Sequence, residues 1–133
     1  MRCAIEEDFM KKRILVIEDE HGLADMMKLR LESGGYEVHE AFDGEEGLRA
    51  IKSFLPDLIV LDLVLPKLSG EEVLRTVKQD DRLKSIPVIV ATALSKDVEG
   101  AGFAFEKADA FFQKPYDFIE LMSVIADFLK GPQ

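Results

Sequence analysis

The chain has 133 residues, of which 47% are hydrophobic and 32% are charged, and its formal net charge is −9. This length suits one domain with its own core and is short for two. The acidic balance argues against direct binding of nucleic acid, because phosphate contacts need clustered Lys and Arg. The uninterrupted apolar runs are too short to span a membrane. The single cysteine, Cys3, cannot form an internal disulfide, which suits a cytoplasmic protein.

Apolar strand patterns alternate with helical patterns along the chain and predict a (βα)5 fold. The predicted strands are residues 14–17, 36–41, 58–61, 87–91 and 110–113. The second strand alternates apolar and polar residues, which is typical of an edge strand with one solvated face. Strands that alternate with helices form a parallel sheet covered on both faces. The edge position of the second strand favours the order 2-1-3-4-5 of a doubly wound, flavodoxin-like α/β sheet.

Five helices are predicted from capping residues and apolar stripes, with Asp43, Ser69, Ser95 and Asp117 as N-caps. The stripes are Leu23, Met26, Met27 and Leu31; Leu48, Ile51 and Leu55; Val73, Leu74 and Val77; Val98, Ala101 and Phe105; and Phe118, Leu121, Met122, Ile125 and Leu129. Gly100 and Gly102 weaken the fourth helix by about 1 kcal/mol each relative to Ala. Phe103 lies off its stripe and is predicted to be an exposed contact.

Polar residues follow four of the predicted strands. Glu18 and Asp19 end the first, Asp62 the third, Thr92 the fourth and Lys114 the fifth. The carboxyl ends of parallel strands meet at one edge of the sheet, so these residues are expected to converge there. Three carboxylates repel one another, and Mg²⁺ with oxygen ligands would relieve the repulsion and leave room for phosphate oxygens. With a lysine and a hydroxyl beside them, they suit a carboxylate nucleophile that accepts a phosphoryl group.

Four segments resemble the receiver domain of two-component response regulators, and they occur in the same order. They are ILVIEDE at 14–20, LIVLDLVLPKLSG at 58–70, VIVATAL at 88–94 and FFQKP at 111–115. The resemblance covers about residues 11–130, so residues 1–10 are expected to be an N-terminal extension and residues 131–133 a C-terminal tail. It implies a CheY-like fold and a phosphorylation-dependent signalling switch. Such a switch is not an enzyme, since it catalyses only its own phosphorylation and dephosphorylation.

The resemblance also implies how the phosphoryl group is bound. Asp62 would accept it from a histidine kinase or a phosphotransfer protein. The cofactor Mg²⁺ would be held by Glu18, Asp19, Asp62 and the backbone carbonyl of Val64. Thr92 and Lys114 would contact the phosphoryl oxygens. The Lys114–Pro115 bond is expected to be cis.

The output surface is implied in the same way. Thr92 and Phe111 would act as switch residues and shift the face made by the fourth helix, fifth strand and fifth helix. That face would bind a downstream protein target, and it allows a phosphorylation-dependent dimer. The chain is expected to be a stand-alone receiver or a fragment of a larger regulator.

Departures from the family pattern at four positions qualify these expectations. Glu18 replaces an aspartate often found there, and Lys107 stands where the family usually has glycine after the fourth helix, so a left-handed cap there would be costly. Val64 and Leu94 are apolar where the family uses polar side chains that help or admit the hydrolytic water. We therefore expect slow self-dephosphorylation.

Three alternatives remain. A haloacid dehalogenase-type phosphatase would need a second acid two residues after its nucleophile, where Val64 stands. A flavodoxin-like cofactor binder would need a phosphate loop rich in Ser, Thr and Gly after the first strand, where the sequence has Glu-Asp-Glu-His at 18–21. A degenerate receiver that acts only as an interaction module is disfavoured because every site residue is present.

Overall fold

A computed structural model of the chain describes residues 11–95, 97 and 102–130. Its strands form one parallel sheet in the order β2-β1-β3-β4-β5, as predicted. They are β1 (Arg13–Ile17), β2 (Glu37–Ala41), β3 (Leu58–Leu61), β4 (Val88–Thr92) and β5 (Ala110–Gln113). Every residue of β3 is buried, because helices cover both faces of this central strand.

Helices lie on both faces of the sheet, which makes it doubly wound. They are α1 (His21–Ser33), α2 (Gly44–Phe54), α3 (Gly70–Gln79), α4 (Gly102–Lys107) and α5 (Phe118–Leu129). Alternate side chains of β1 point to opposite faces: Leu15 packs in the core beneath α2, α3 and α4, and Val16 in the core beneath α1 and α5. Among the described residues, no helix is long and apolar enough to cross a membrane.

Three of the predicted N-caps are confirmed by hydrogen bonds. The side chain of Asp43 accepts from the Glu46 N–H at 2.8 Å, that of Ser69 from the Glu72 N–H at 3.2 Å, and that of Asp117 from the Ile119 N–H at 2.8 Å. The fourth predicted helix, by contrast, falls partly outside the described residues, as do the N-terminal extension and the C-terminal tail. Val98, Gly100 and Ala101 are among the residues not described.

The predicted burial or exposure of four apolar residues is wrong. Met26 is 39% exposed because the buried side of α1 runs through Ala24, Met27 and Leu31. Leu55 is 58% exposed because it is the left-handed C-cap of α2, with φ 51°, and no longer lies on the helix. Phe103 and Phe105 have exchanged roles, because the helical turn places Phe103 against the core and leaves Phe105 46% exposed.

Lys107 does not adopt the left-handed cap conformation that would be costly for a non-glycine residue. Lys107 is the last residue of α4, and the following Ala108 N–H still donates to the Ala104 carbonyl at 2.8 Å, so the helical bonding continues past it. In the described part of the chain, the non-glycine residues with positive φ are Leu55 and Lys67. Lys67, with φ 69°, lies in the loop between β3 and α3, next to the predicted site.

Candidate functional site

The three predicted carboxylates converge at the carboxyl edge of the sheet. Strands β1 and β3 are neighbours, and the Asp62 N–H donates to the Ile17 carbonyl at 3.0 Å, so the residues that follow the two strands lie side by side. One carboxylate oxygen from each of Glu18, Asp19 and Asp62 lies within 4.8 Å of the others. Glu18 and Asp62 are only 4% and 6% exposed, whereas Asp19 is exposed. The cluster is therefore buried at Glu18 and Asp62 and open to solvent at Asp19, which marks the rim of the site.

Lys114 bridges the two buried carboxylates. Its Nζ donates to Glu18 Oε1 at 2.7 Å and to Asp62 Oδ2 at 2.9 Å. The Lys114–Pro115 bond is cis, as expected. The remaining oxygens of both acids accept backbone N–H groups, Glu18 Oε2 from Glu20 at 3.1 Å and Asp62 Oδ1 from Val64 at 3.0 Å. All four oxygens of the two buried carboxylates thus have donors, which makes their burial tolerable.

Burial and pairing set the charges of these groups. Burial raises the pKa of Glu18, and the hydrogen bond from Lys114 only partly offsets this effect. Burial by itself would lower the pKa of Lys114, but its hydrogen bonds to Glu18 and Asp62 outweigh burial and raise that pKa above its ordinary value. Lys114 therefore stays cationic beside the acids at neutral pH.

A glycine allows the loop after Asp62 to pass close to α3. The Gly70 N–H donates to the Leu63 carbonyl at 2.9 Å, and a Cβ at residue 70 would collide with the Asp62 carbonyl oxygen. Only glycine fits this approach. Val64, two residues after Asp62, has a side chain that is 55% exposed, so an apolar side chain stands at the rim of the site.

Thr92 lies at the end of β4 and Phe111 lies on β5, the strand positions predicted from the sequence. Thr92 ends β4 with no exposed surface; its Oγ1 accepts a long hydrogen bond from the Leu94 N–H at 3.4 Å, and its carbonyl accepts the Lys114 N–H at 2.7 Å. Phe111 on β5 is half-buried and packs edge-to-face on Phe105, with ring centroids 5.6 Å apart. Thr92 is therefore linked directly to the lysine of the site, and Phe111 to the outer side of α4.

Sequence reasoning missed an apolar wall beside the lysine. A cavity of about 250 Å³ lies next to Lys114 and is lined by Leu23, Met26, Pro115, Tyr116 and Phe118. The Tyr116 hydroxyl lies 3.8 Å from the Met27 sulfur, and burial raises its pKa. Met26, which lies off the buried side of α1, forms part of this wall. Its place on the helical stripe gave no sign of it.

The donor set fits a small, hard divalent cation. Glu18, Asp19 and Asp62 offer carboxylate oxygens, the ligands that Mg²⁺ prefers, and the exposed rim leaves space for the waters that Mg²⁺ retains. The residues at this edge could therefore hold Mg²⁺, with a lysine positioned for an anionic group beside it.

The doubly wound parallel sheet, with three acids and a lysine at its carboxyl edge, places the chain in the class of open α/β domains that carry their ligand site at the carboxyl ends of the strands. Within that class, the sequence model of the response regulator receiver domain matches residues 14–126. The chain belongs to this family, whose members are generally phosphorylation-dependent signalling switches rather than conventional enzymes. This places it in neither of the two alternative families considered from the sequence.

Individual relatives agree with this assignment. The chain is 36% identical over 118 residues to the DNA-binding dual master transcriptional regulator RpaA of Synechocystis, a match that covers 89% of this chain and 49% of RpaA. The receiver domain of a signal transduction histidine kinase from Syntrophus aciditrophicus is 33% identical, with a TM-score of 0.83 and 92% of each chain covered. The response regulator TrrA of Thermotoga maritima, solved in complex with Mg²⁺-BeF, is 34% identical, with a TM-score of 0.77 over 89% of this chain and 99% of TrrA. The chain spans about half the length of the curated relatives it matches.

Proposed function

We propose that Asp62 is the phosphoacceptor of this receiver domain. The observation that carries the proposal is the bridge from Lys114 to Asp62 and Glu18, which holds the buried Asp62 carboxylate beside two further acids at an open rim. An Asp62 oxygen would attack the phosphorus of a phosphohistidine on a histidine kinase or phosphotransfer protein. The P–N bond would break, its electron pair would go to the imidazole, and an acyl phosphate would form on Asp62.

Each neighbouring residue has a defined part in this proposal. Glu18, Asp19 and Asp62, with the Val64 carbonyl, would hold Mg²⁺, which supplies positive charge to the transferring phosphoryl oxygens. Lys114 would move its hydrogen bond from Asp62 Oδ2 to a phosphoryl oxygen, and the Thr92 hydroxyl would donate to another. The domain would catalyse only its own phosphorylation and dephosphorylation.

The signal would leave through the face formed by α4, β5 and α5. Phosphorylation adds nearly two negative charges, and Thr92 would give up its long bond to the Leu94 N–H to meet them. Phe111 would then turn inward and release its edge contact with Phe105. This face would bind a downstream protein or a second phosphorylated copy of the chain. We place the domain in the cytoplasm, which agrees with its single cysteine.

Acetyl phosphate with Mg²⁺ tests the phosphoacceptor directly by intact-protein mass spectrometry. We expect the wild type to gain one phosphoryl group and Asp62→Asn to gain none. Asp57→Asn is a matched control, because Asp57 precedes the same strand and its carboxylate accepts the Arg13 N–H at 2.8 Å, away from the acidic cluster. Equal labelling of wild type and Asp62→Asn would refute the proposal.

A further inference from the structure

The loop that carries Asp62 and Val64 contains an unusual turn at Lys67. Lys67 has φ 69°, and the next N–H, that of Leu68, donates back to the Pro66 carbonyl at 2.8 Å. This is the hydrogen bond of a γ-turn centred on a residue with positive φ, a rare and strained form. A non-glycine residue keeps this backbone conformation only where neighbouring groups hold it in place.

The start of α2 supplies those surroundings. The Gly44 N–H donates to the same Pro66 carbonyl at 3.3 Å, and a Cβ at residue 44 would collide with the Leu68 carbonyl oxygen. Asp43, the N-cap of α2, lies with its Oδ2 3.6 Å from Lys67 Nζ. The cap uses the other oxygen, Oδ1, so one carboxylate serves both the helix and the loop.

The two ends of the loop are therefore held by different helices. Gly70 of α3 fixes the backbone at Asp62 and Leu63. The outer turn at Lys67 is held by the start of α2. Val64 lies between these two attachments, and its N–H binds Asp62 Oδ1 at 3.0 Å. A displacement of the outer turn would reach Val64 through the two intervening residues.

We propose that Lys67 is a positioning residue, which, through its ion pair with Asp43, holds the strained turn that sets the Asp62–Val64 backbone for the metal-bound state. This inference rests on the proposed function, because it assigns a task toward the same site. Lys67 does not touch the carboxylate cluster. It restricts the conformations of the loop in the metal-free protein, so the loop loses less conformational entropy when Mg²⁺ binds.

The test removes each charge separately and keeps the shape. Asp43→Asn retains an oxygen that can cap α2, Lys67→Gln removes the cation, and Lys67→Arg restores it. Lys84→Gln is a matched control, since Lys84 makes an exposed ion pair with Asp81 at 3.2 Å in the turn after α3. The readouts are amide hydrogen exchange of Gly44, Val64 and Leu68 in the metal-free protein and the Mg²⁺ dissociation constant from calorimetry.

We expect Lys67→Gln and Asp43→Asn each to speed exchange at these amides and to raise the Mg²⁺ dissociation constant about two- to fivefold, the range expected for one ion pair whose lysine is exposed to solvent. The double variant should be no worse than either single variant, and Lys67→Arg should restore both readouts. Lys84→Gln should match the wild type. Unchanged exchange and affinity in the single variants would overturn the inference.

Lys67→Gly separates the ion pair from the backbone conformation. Glycine adopts positive φ without strain, so this variant removes the charge contact without straining the turn, and it also gives the loop backbone more conformational freedom. We expect its Mg²⁺ affinity to remain reduced; wild-type affinity would show that the turn alone suffices and would overturn the role of the ion pair. If the wild type shows no Asp62-dependent phosphorylation, the proposed function is refuted. The hydrogen-exchange data on the metal-free protein would still decide the role of Lys67.

Discussion

Replacing Lys114 with methionine should destabilise the metal-free domain and increase its response to Mg²⁺. The substitution keeps the aliphatic stem and removes the cation that donates to Glu18 at 2.7 Å and to Asp62 at 2.9 Å. Both acids would then be buried without an internal cation. The resulting change in the free energy of unfolding measures how much the lysine stabilises the two buried acids.

The size of the effect follows from burial. Removing one partner of a fully buried pair costs about 3–5 kcal/mol. The Lys114 side chain is 22% exposed, and water compensates part of the loss. We therefore expect the free energy of unfolding to fall by about 2–3 kcal/mol and the Tm by roughly 8–12 °C.

Circular dichroism melts in EDTA and in saturating Mg²⁺ would measure both parts of this prediction. Mg²⁺ should raise the Tm of Lys114→Met more than that of the wild type, since the cation replaces the missing charge. Lys78→Met is the matched control: Lys78 donates to Asp109 at 2.9 Å, is 17% exposed and lies at the opposite edge of the sheet. It should lower the Tm without enlarging the Mg²⁺ response. A Lys114→Met protein that melts with the wild type in EDTA, or that responds to Mg²⁺ no more than Lys78→Met does, would refute the reasoning.

Three further outcomes are expected. The acyl phosphate of the wild type should persist well beyond seconds in Mg²⁺, as measured in a mass-spectrometric time course. Val64→Asn should shorten this lifetime, because Val64 is 55% exposed at the rim of the site and an amide there can orient water. Decay of the wild-type acyl phosphate within seconds would contradict the prediction. Burial raises the pKa of Glu18 above 4.5, so the native state gains stability as pH falls through that raised pKa. In metal-free urea titrations, the stability of the wild type relative to that of Glu18→Gln should accordingly rise as the pH is lowered from neutral toward 4.5, because residue 18 of the variant does not titrate; a relative stability that fell on acidification would contradict the assigned cause. Ser69→Ala removes the N-cap bond of α3 and should cost about 1 kcal/mol in the same titrations, whereas no loss would show that the cap is solvent-compensated.

The sequence by itself determined the order of strands and helices. Four-residue apolar runs such as Leu58–Leu61 are buried on both faces, and that burial leaves a clear signal in composition. The caps at Asp43, Ser69 and Asp117 were also predictable, because a helix start needs an acceptor within three residues along the chain. The strand-end position of Asp62 followed from the same local pattern.

Only the tertiary structure decided which groups contact one another. The bridge from Lys114 to Glu18 spans 96 positions in sequence, and no local rule gives its geometry. The exchange of Phe103 and Phe105 depended on how α4 is rotated against the core, because residues two positions apart lie on opposite sides of a helix. The strained turn at Lys67 was invisible in the sequence, since its conformation is maintained by the start of α2. Local patterns specify which face of an element is apolar, but the packing between elements places the charges.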